Sequence, residues 1–305
     1  MNQIKLTGLV AATHTPFHDN GSLNLAVVER QAAHLLQNGI RTVFIGGTTG
    51  ECHSLSLEER RALTQRWIEV PRGTELKVVV HVGSNCLADA RVLAAQAQQL
   101  GARAIAALAP SYFKPRSLAV LIDCYAEIAA AAPDTPFYAY DIPALTGVNF
   151  FMPDFLTQAH ERIATLAGLK FTNPDLMAYQ LCLHAAGGAF DVPWGLDEYL
   201  LAALALGAQG AVGSTYNFCA PLYHRLIKAF HAGDLATARR EQLRSAQLIQ
   251  LLAGHGYMGA AKAVMKMLGV DVGPARQPNG NPATDEVKTL RGELDQLGFF
   301  EWIRA

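Results

Sequence analysis

The chain has 305 residues, half of them of apolar types, and its 25 Lys and Arg residues nearly balance its 26 Asp and Glu residues. A net charge of −1 provides no basic face, so we expect neither nucleic acid nor an anionic membrane as a partner. The length fits one barrel-sized domain of roughly 250 residues with an extension. Five cysteines without C-x-x-C spacing, and a start without the apolar core of a signal peptide, predict a cytoplasmic protein with reduced thiols.

Short apolar runs rich in β-branched residues alternate along the chain with longer segments that carry apolar residues at helical spacing. This alternation predicts buried strands, each followed by a helix. The clearest helical segments are residues 25–37, 57–68 and 118–131. The eight predicted strands are residues 8–12, 42–45, 77–82, 104–109, 137–140, 165–170, 189–192 and 210–212.

Local signals mark where several helices begin and end. Ser56 followed by Glu59 fits a capping box, in which each side chain bonds the backbone N–H of the other residue. Gly39, Gly101 and Gly207 come just after helical segments, where glycine readily adopts the left-handed conformation that ends a helix.

After residue 232 the pattern is entirely helical, with predicted helices at residues 235–252, 257–268 and 285–297. We therefore expect residues 1–232 to form the barrel and residues 233–305 to form a helical extension that packs on it. The two parts are expected to make one structural unit, because no second hydrophobic core is evident.

Eight strand–helix units with continuous apolar strands predict a parallel sheet covered by helices. An open, doubly wound sheet is the alternative, but it normally has a glycine fingerprint after the first strand. Here residues 12–17 read ATHTPF and contain no glycine. The sequence therefore favours an α/β fold, a (β/α)8 TIM barrel with additional C-terminal helices.

Lys170 lies at the end of the sixth predicted strand, inside an apolar run, and functional residues of such barrels collect at the carboxyl ends of strands. Burying a lysine strips water from its ammonium, and a lysine that sheds its proton is a nucleophile toward carbonyl carbon. Lys170 therefore predicts imine chemistry on a keto substrate. The alternative is a structural lysine whose head reaches water. The other seven lysines precede strands, lie in a polar loop or fall on late helices.

Two further strand ends carry candidates. Residues 46–51 read GGTTGE, and Thr48 and Thr49 offer hydroxyls and accessible backbone N–H groups that suit a carboxylate. The same run is also compatible with a simple tight turn. Tyr140 ends the fifth strand, where its phenol can pass a proton to or from a substrate oxygen. The alternative for Tyr140 is a core tyrosine bonded to backbone.

Asp197 and Glu198 follow the seventh predicted strand. Because they are adjacent, their side chains diverge, which suits hydrogen bonds to a polyol better than one metal ion. They would also be favourable as negative charges at the start of a helix. His14 and His18 are four residues apart, but Pro16 lies between them and no carboxylate joins them. We predict no metal and no cofactor.

Four stretches together resemble the dihydrodipicolinate synthase / N-acetylneuraminate lyase family. They are residues 46–51, residues 140–147 (YDIPALTG), residues 168–170 (GLK) and residues 210–214 (GAVGS). Each is weak alone, but their joint occurrence, in order over essentially the whole chain, is specific. The resemblance implies a (β/α)8 barrel with C-terminal helices, a homotetramer and a lysine that forms an imine with pyruvate.

Within the family, one position and two stretches separate the branches. Leu145 stands where the dihydrodipicolinate branch usually carries an arginine that holds an acidic substrate, and leucine cannot form that bidentate pair. Residues 195–198 and 213–217 are similar to the sialic acid lyase branch, whose matching residues contact the hydroxyl-bearing tail of the sugar. The implied reaction is cleavage of N-acetylneuraminate, a sialic acid, to N-acetylmannosamine and pyruvate.

The resemblance also implies roles for individual residues. Lys170 would be the Schiff-base lysine, Tyr140 the proton shuttle, and Thr48 and Tyr112 would share in catalysis. Tyr112 matches an aromatic position that in many members reaches a neighbouring subunit's site, although Ser111 replaces the usual second aromatic. The implied substrate-binding residues are Thr48, Thr49, Thr172, Gly195, Asp197, Glu198 and Ser214.

By the same resemblance, Asp141 is unusual beside the shuttle tyrosine, where several relatives have a neutral or histidine side chain. A carboxylate would disfavour the phenolate if its charge were close. In a strand, its side chain should point to the face opposite that of Tyr140.

Three other functions stay open at this point. The first is a related pyruvate aldolase or hydratase that acts on another 2-keto acid and differs only in the tail pocket. The second is a metal-dependent barrel lyase or isomerase, which a chelator would inhibit. The third is a non-catalytic keto-acid-binding protein, which would have no need for a nucleophilic lysine.

Overall fold

The computed structural model describes residues 4–304, and within them a parallel sheet curls into a barrel. Its seven strands run in the order β6-β5-β4-β3-β2-β1-β7, so that β1 pairs with both β2 and β7. Two of the predicted strands match the observed bounds at both ends, and five differ from them by one residue at one or both ends. The strands are β1 (Gly8–Ala12), β2 (Thr42–Ile45), β3 (Lys77–His81), β4 (Ala104–Leu108), β5 (Phe137–Asp141), β6 (Leu166–Phe171) and β7 (Gly210–Gly213).

The prediction of a seventh continuous strand at residues 189–192 is wrong. Between β6 and β7 the chain makes only isolated bridges, two of which join Trp194 to Phe171 of β6 and to Ala211 of β7. The Trp194 N–H donates to the Gly210 carbonyl at 3.0 Å, and the Trp194 carbonyl accepts from the Val212 N–H at 2.7 Å. Pro193 has no N–H to continue the ladder. The segment nevertheless closes the ring, as a (β/α)8 TIM barrel requires.

Helices cover the outside of the barrel, and their predicted signals are present. The Glu59 N–H donates to Ser56 Oγ at 3.2 Å, and the Ser56 N–H donates to Glu59 Oε2 at 3.0 Å, which completes the capping box. Gly101 and Gly207 end their helices with φ of +81° and +106°. The helices around the barrel are α1 (Val27–Gln37), α2 (Leu57–Glu69), α3 (Leu87–Leu100), α4 (Leu118–Ala130), α5 (Pro143–Thr146), α6 (Met152–Ala159), α7 (Leu176–His184), α8 (Leu200–Leu206) and α9 (Tyr216–His231).

Alternate residues of each strand face two separate apolar layers. Val10 and Ala12 of β1 lie in the cluster that fills the barrel interior, whereas Leu9 and Ala11 belong to the larger cluster between sheet and helices. Because side chains alternate along a strand, Tyr140 lies in the interior cluster and its neighbour Asp141 faces the helices.

The chain ends in helices that pack on the barrel's outer layer. The long helix α10 packs against α9 and against the short 3-10 turn at Asp197–Tyr199, and α11 packs against α10. None of the helices within residues 4–304 has both the length and the apolar character needed to cross a bilayer. These last helices are α10 (Leu235–Gly254), α11 (Tyr257–Met267), α12 (Thr284–Leu297) and α13 (Phe299–Trp302).

Candidate active site

A cavity of about 230 Å³ lies at the carboxyl ends of the strands, the end at which barrel enzymes carry their active sites. Strands β2, β5, β6 and β7 each contribute residues at their ends. The wall brings together all but one of the residues predicted for catalysis or substrate binding, namely Thr48, Thr49, Tyr140, Lys170, Thr172, Gly195, Asp197, Glu198 and Ser214.

Lys170 projects from β6 into this cavity and is only 4% exposed. Its Nζ lies 3.9 Å from the centroid of the Tyr140 ring and 4.4 Å from that of Phe44. The register of β5 and β6 pairs Tyr140 directly with Lys170. No carboxylate within residues 4–304 forms an ion pair with the ammonium. The amine therefore stands beside a phenol, with its end free to meet a bound carbonyl.

The turn after β2 presents its two threonines to the same cavity. Thr48 Oγ1 and Tyr140 Oη lie 3.2 Å apart, within hydrogen-bond distance. Gly46 has φ of +62°, a conformation that favours glycine. A Cβ on Gly47 would lie 2.6 Å from the Phe44 ring, so the backbone can pass this close only without a side chain. The glycines thus bring the threonines within reach of Tyr140.

His81 holds the start of this turn, a role that the sequence did not reveal. Its Nε2 accepts from the Leu108 N–H at 3.2 Å, so in the neutral ring the proton sits on Nδ1, which donates to the Gly46 carbonyl at 2.9 Å. Burial, with the charge of Arg60 adding to it, keeps the pKa of His81 well below its usual value. The ring stays neutral, and its two bonds tie β2, β3 and β4 together beneath the cavity.

Asp197 is more tightly held than the sequence predicted. Its Oδ2 accepts from the backbone N–H of Thr215 at 2.9 Å and from the Thr215 hydroxyl at 2.5 Å. Its Oδ1 lies so close to Gly213 that any Cβ there would collide with it. Burial raises the pKa of Asp197, and the bonds from Thr215 oppose that shift. One oxygen of Asp197 is thus committed to the protein.

Glu198 and Ser214 complete the far wall, together with residues from the last helices. The Ser214 hydroxyl and Tyr257 Oη lie 2.6 Å apart. Ile249 of α10 and Met258 of α11 line the same wall. Burial raises the pKa of Glu198, and the neighbouring Asp197 raises it further. The sequence offered no signal for Tyr257, because an aromatic at helical spacing late in the chain has the pattern of a core residue.

Two residues singled out from the sequence lie outside this cavity. Tyr112, the one predicted site residue missing from the wall, is 78% exposed and packs edge-on against Phe113 with ring centroids 5.0 Å apart. Leu145, on α5, is 65% exposed. Within one chain, neither side chain lines the cavity around Lys170.

Asp141 points away from Tyr140, as the strand alternation predicted. It is buried among residues of the outer layer, where Asn173 Nδ2 donates to its Oδ2 at 3.2 Å. Burial raises the pKa of Asp141 to about 7, and the bond from Asn173 only partly opposes that shift.

Lys262, predicted only to fall on a late helix, is also buried, with 2% exposure. It lies outside the cavity wall, and its Nζ is 2.6 Å from Glu51 Oε1. Its place on a late helix is as predicted, but its burial could not be read from that place, and Lys170 is the lysine that lines the cavity.

Comparison with known proteins gives a consistent result. The model of the dihydrodipicolinate synthetase family matches residues 5–297. N-acetylneuraminate lyase A of Xenopus laevis is 40% identical over 300 residues, which cover 96% of this chain and 98% of that protein. The solved N-acetylneuraminate lyase of Proteus mirabilis is 36% identical, with a TM-score of 0.94 and coverage of 97% of this chain and 100% of that chain. The sialic acid aldolase of Aliivibrio salmonicida is 39% identical, with a TM-score of 0.94 and coverage of 97% and 98%.

Proposed function

The chain belongs to the dihydrodipicolinate synthetase family, and on that premise we propose that it is a carbon–carbon lyase that cleaves N-acetylneuraminate to N-acetylmannosamine and pyruvate through an imine on Lys170. The observation that carries this proposal is the position of Lys170. Its amine has no ion-pair partner within residues 4–304 and lies 3.9 Å from the centre of the Tyr140 ring, in one cavity with Thr48 and Thr49.

The first step forms the imine. The neutral amine of Lys170 adds to the keto carbon of the open-chain sugar acid, and loss of water leaves a C=N bond. Thr48, Thr49 and the backbone N–H groups of residues 46–50 hold the substrate carboxylate beside that carbon. Holding the carboxylate fixes the distance between the amine and the carbonyl, which is worth several orders of magnitude in rate when the alignment is good.

The second step breaks the C3–C4 bond. Tyr140 relays the proton of the C4 hydroxyl, and the electrons of the C3–C4 bond flow into the protonated imine. N-acetylmannosamine leaves as the aldehyde, and the remaining enamine is protonated at C3 and hydrolysed to pyruvate and free Lys170. Thr48, within hydrogen-bond distance of the Tyr140 phenol, orients that phenol and links it to the substrate carboxylate.

The far wall of the cavity would hold the sugar tail. Glu198 and Ser214 face the space beyond Lys170, and their oxygens can bond hydroxyl groups. Gly195 and Thr172 shape the same wall. Asp197 supports it mainly through Thr215, with which it shares two hydrogen bonds.

The assembly in the cell is part of the same proposal. We place residues 1–232 and 233–305 in one functional unit, because Ile249, Tyr257 and Met258 line the cavity.

We propose a cytoplasmic homotetramer in which the exposed Tyr112 of each chain completes the site of its neighbour.

Borohydride trapping with N-acetylneuraminate tests the function. The reduced adduct should map to the peptide that contains Lys170, and N-acetylmannosamine and pyruvate should appear in equal amounts. Lys262, the other buried lysine, should remain unlabelled because its amine is already held by Glu51 and by two backbone carbonyls. Lys170→Met should lose the adduct and at least about 1,000-fold in turnover.

Three results would contradict the proposal. An adduct on another lysine would remove Lys170 from the mechanism. Cleavage of a different 2-keto acid without cleavage of N-acetylneuraminate would indicate a related aldolase. Loss of activity on treatment with a chelator would indicate a metal-dependent lyase.

A further inference from the structure

The contact between Lys262 and Glu51 joins the last helices to the loop after β2. The Lys262 side chain on α11 is 1% exposed, the Glu51 side chain is 0% exposed, and Nζ lies 2.6 Å from Oε1. The same ammonium donates to the carbonyls of Thr15 and Pro274, each at 2.9 Å. The ammonium is therefore held by one ion pair and two hydrogen bonds, which keep Lys262 and Glu51 in one arrangement.

The second oxygen of Glu51 is held from the same side. Oε2 accepts from the Arg276 N–H at 2.8 Å and from Asn279 Nδ2 at 3.2 Å. The Arg276 guanidinium in turn pairs with Glu59 at the start of α2. Helix α11 and the loop of residues 274–281 thus fix the Glu51 carboxylate from the C-terminal part of the chain.

Glu51 in turn closes the turn that carries Thr48 and Thr49. Its φ of +55° is uncommon for a residue with a side chain and persists only where the surroundings impose it. Its N–H donates to the Thr48 carbonyl at 2.9 Å, and the next N–H, of Cys52, donates to the Gly47 carbonyl at 3.2 Å. The conformation of Glu51 is therefore coupled to the placement of both threonines.

A second route links Lys262 to the same turn. Thr15, whose carbonyl accepts from Lys262, donates its hydroxyl to the Gly50 carbonyl at 2.7 Å. Neither Lys262 nor Glu51 lines the cavity, so neither touches substrate. Each can affect the reaction only through the turn.

We propose that Lys262 and Glu51 are positioning residues that set how well residues 46–50 bind the substrate carboxylate. The inference rests on the proposed function, because it assumes that a keto acid carboxylate occupies the turn. It makes the C-terminal extension a determinant of keto acid affinity as well as a covering of the barrel.

The competing explanation is that the pair only stabilises the fold. A purely structural pair would change the fraction of folded enzyme and leave the affinity of the folded enzyme unchanged. A positioning pair would weaken binding of a carboxylate specifically. Pyruvate and pyruvamide, whose neutral amide replaces the carboxylate, separate the two explanations.

The experiment measures the initial rate of borohydride inactivation of the full-length protein against the concentration of pyruvate or pyruvamide. Lys262→Met should raise the half-saturating concentration of pyruvate by about tenfold or more, with little change for pyruvamide. Glu51→Gln, which keeps acceptors for Arg276 and Asn279, should show a smaller rise. The matched control is Lys266→Met, one turn along α11, where the lysine is 69% exposed and pairs with Asp271. It should behave as the unchanged protein.

If Lys262→Met does not fold, the double variant Glu51→Gln/Lys262→Met decides, because it leaves no unpaired buried charge. It should show the same loss of preference for pyruvate over pyruvamide. A preference within twofold of the unchanged protein in every foldable variant would overturn the proposal, as would an equal loss in Lys266→Met. Failure of the unchanged protein to form an adduct on Lys170 would instead contradict the proposed function.

Discussion

The cavity wall contains one buried lysine, Lys170, and the contact between Lys262 and Glu51 contains another. The two sites differ in what surrounds the amine. Lys170 is 4% exposed and Lys262 is 2% exposed. Lys262 has a carboxylate and two carbonyls within 2.9 Å, whereas the neighbours of Lys170 are the faces of two aromatic rings. Burial alone does not mark a reactive lysine. The difference lies in whether the amine has partners or an open space before it.

The carboxylates of the two sites differ in the same way, in whether the protein already occupies their oxygens. Both oxygens of Glu51 are bonded by the C-terminal part of the chain. Asp197 has one oxygen bonded to Thr215, and Glu198 faces the cavity. The cavity wall thus keeps carboxylate oxygens available to a ligand, whereas those of Glu51 are occupied by other parts of the chain.

The stability of two methionine variants gives the sharpest test of this contrast. Lys262→Met should lower the free energy of unfolding by about 3–5 kcal/mol, because it leaves the Glu51 carboxylate buried without its cation. Lys170→Met should raise it by about 1 kcal/mol, because it replaces a desolvated amine without partners by an apolar side chain of similar length.

Denaturant unfolding at neutral pH measures both effects. The double variant Glu51→Gln/Lys262→Met should recover most of the loss, since no charge is left unpaired. Equal destabilisation by Lys170→Met and Lys262→Met would contradict the distinction between the two lysines.

Glu198→Gln tests whether the wall carboxylates serve the ligand. It should raise the KM for N-acetylneuraminate by about tenfold, the loss expected when a charged acceptor of one sugar hydroxyl is removed. The half-saturating pyruvate concentration in borohydride trapping should stay unchanged, because Glu198 lies away from the carboxylate-binding turn. Steady-state kinetics and trapping of the same preparation measure the two quantities, and a parallel rise in both would argue against a tail-binding role.

Asp141→Asn tests a buried carboxyl with a single partner. The pKa of Asp141 is raised to about 7 from its ordinary value of 3.8. At pH 6 the Asp141 carboxyl therefore holds a proton in the folded protein that it has lost in the unfolded chain. The stability that this bound proton contributes is lost as the pH rises through 7. The free energy of unfolding should fall by about 1 kcal/mol between pH 6 and pH 8.

The asparagine side chain is neutral at every pH, so in Asp141→Asn that part of the pH dependence should vanish. Denaturation curves at several pH values provide the measurement. An unchanged slope in the variant would mean that another group titrates over this range.

Several features followed from local sequence because their causes are local. The capping box of Ser56 and Glu59 needs only two side chains three residues apart, and the chain confirms it. Strand alternation alone was sufficient to place Tyr140 inside the barrel and Asp141 outside it. In a parallel barrel, strand ends meet at one edge, which is why Thr48, Lys170 and Ser214 converge.

The features that sequence reasoning missed depend on contacts between distant segments. Tyr257 and Lys262 lie on one late helix whose pattern predicts only packing, and their partners Ser214 and Glu51 are 43 and 211 positions away. The break in the seventh strand depends on Pro193, whose missing N–H interrupts a ladder that hydropathy alone predicts to be continuous. Tyr112 was predicted to belong to the site, but within one chain it is exposed and does not line the cavity.

The contribution of α11 to the cavity has a consequence for the order in which the enzyme matures. A nascent chain synthesised only as far as Ala232 already contains Lys170, Tyr140 and both threonines of the turn. It still lacks Tyr257 and Met258 of the wall and the cation that holds Glu51. Ribosomal synthesis therefore delivers the reactive amine well before the residues that complete its pocket, and competence for sugar cleavage is among the last properties that the polypeptide acquires.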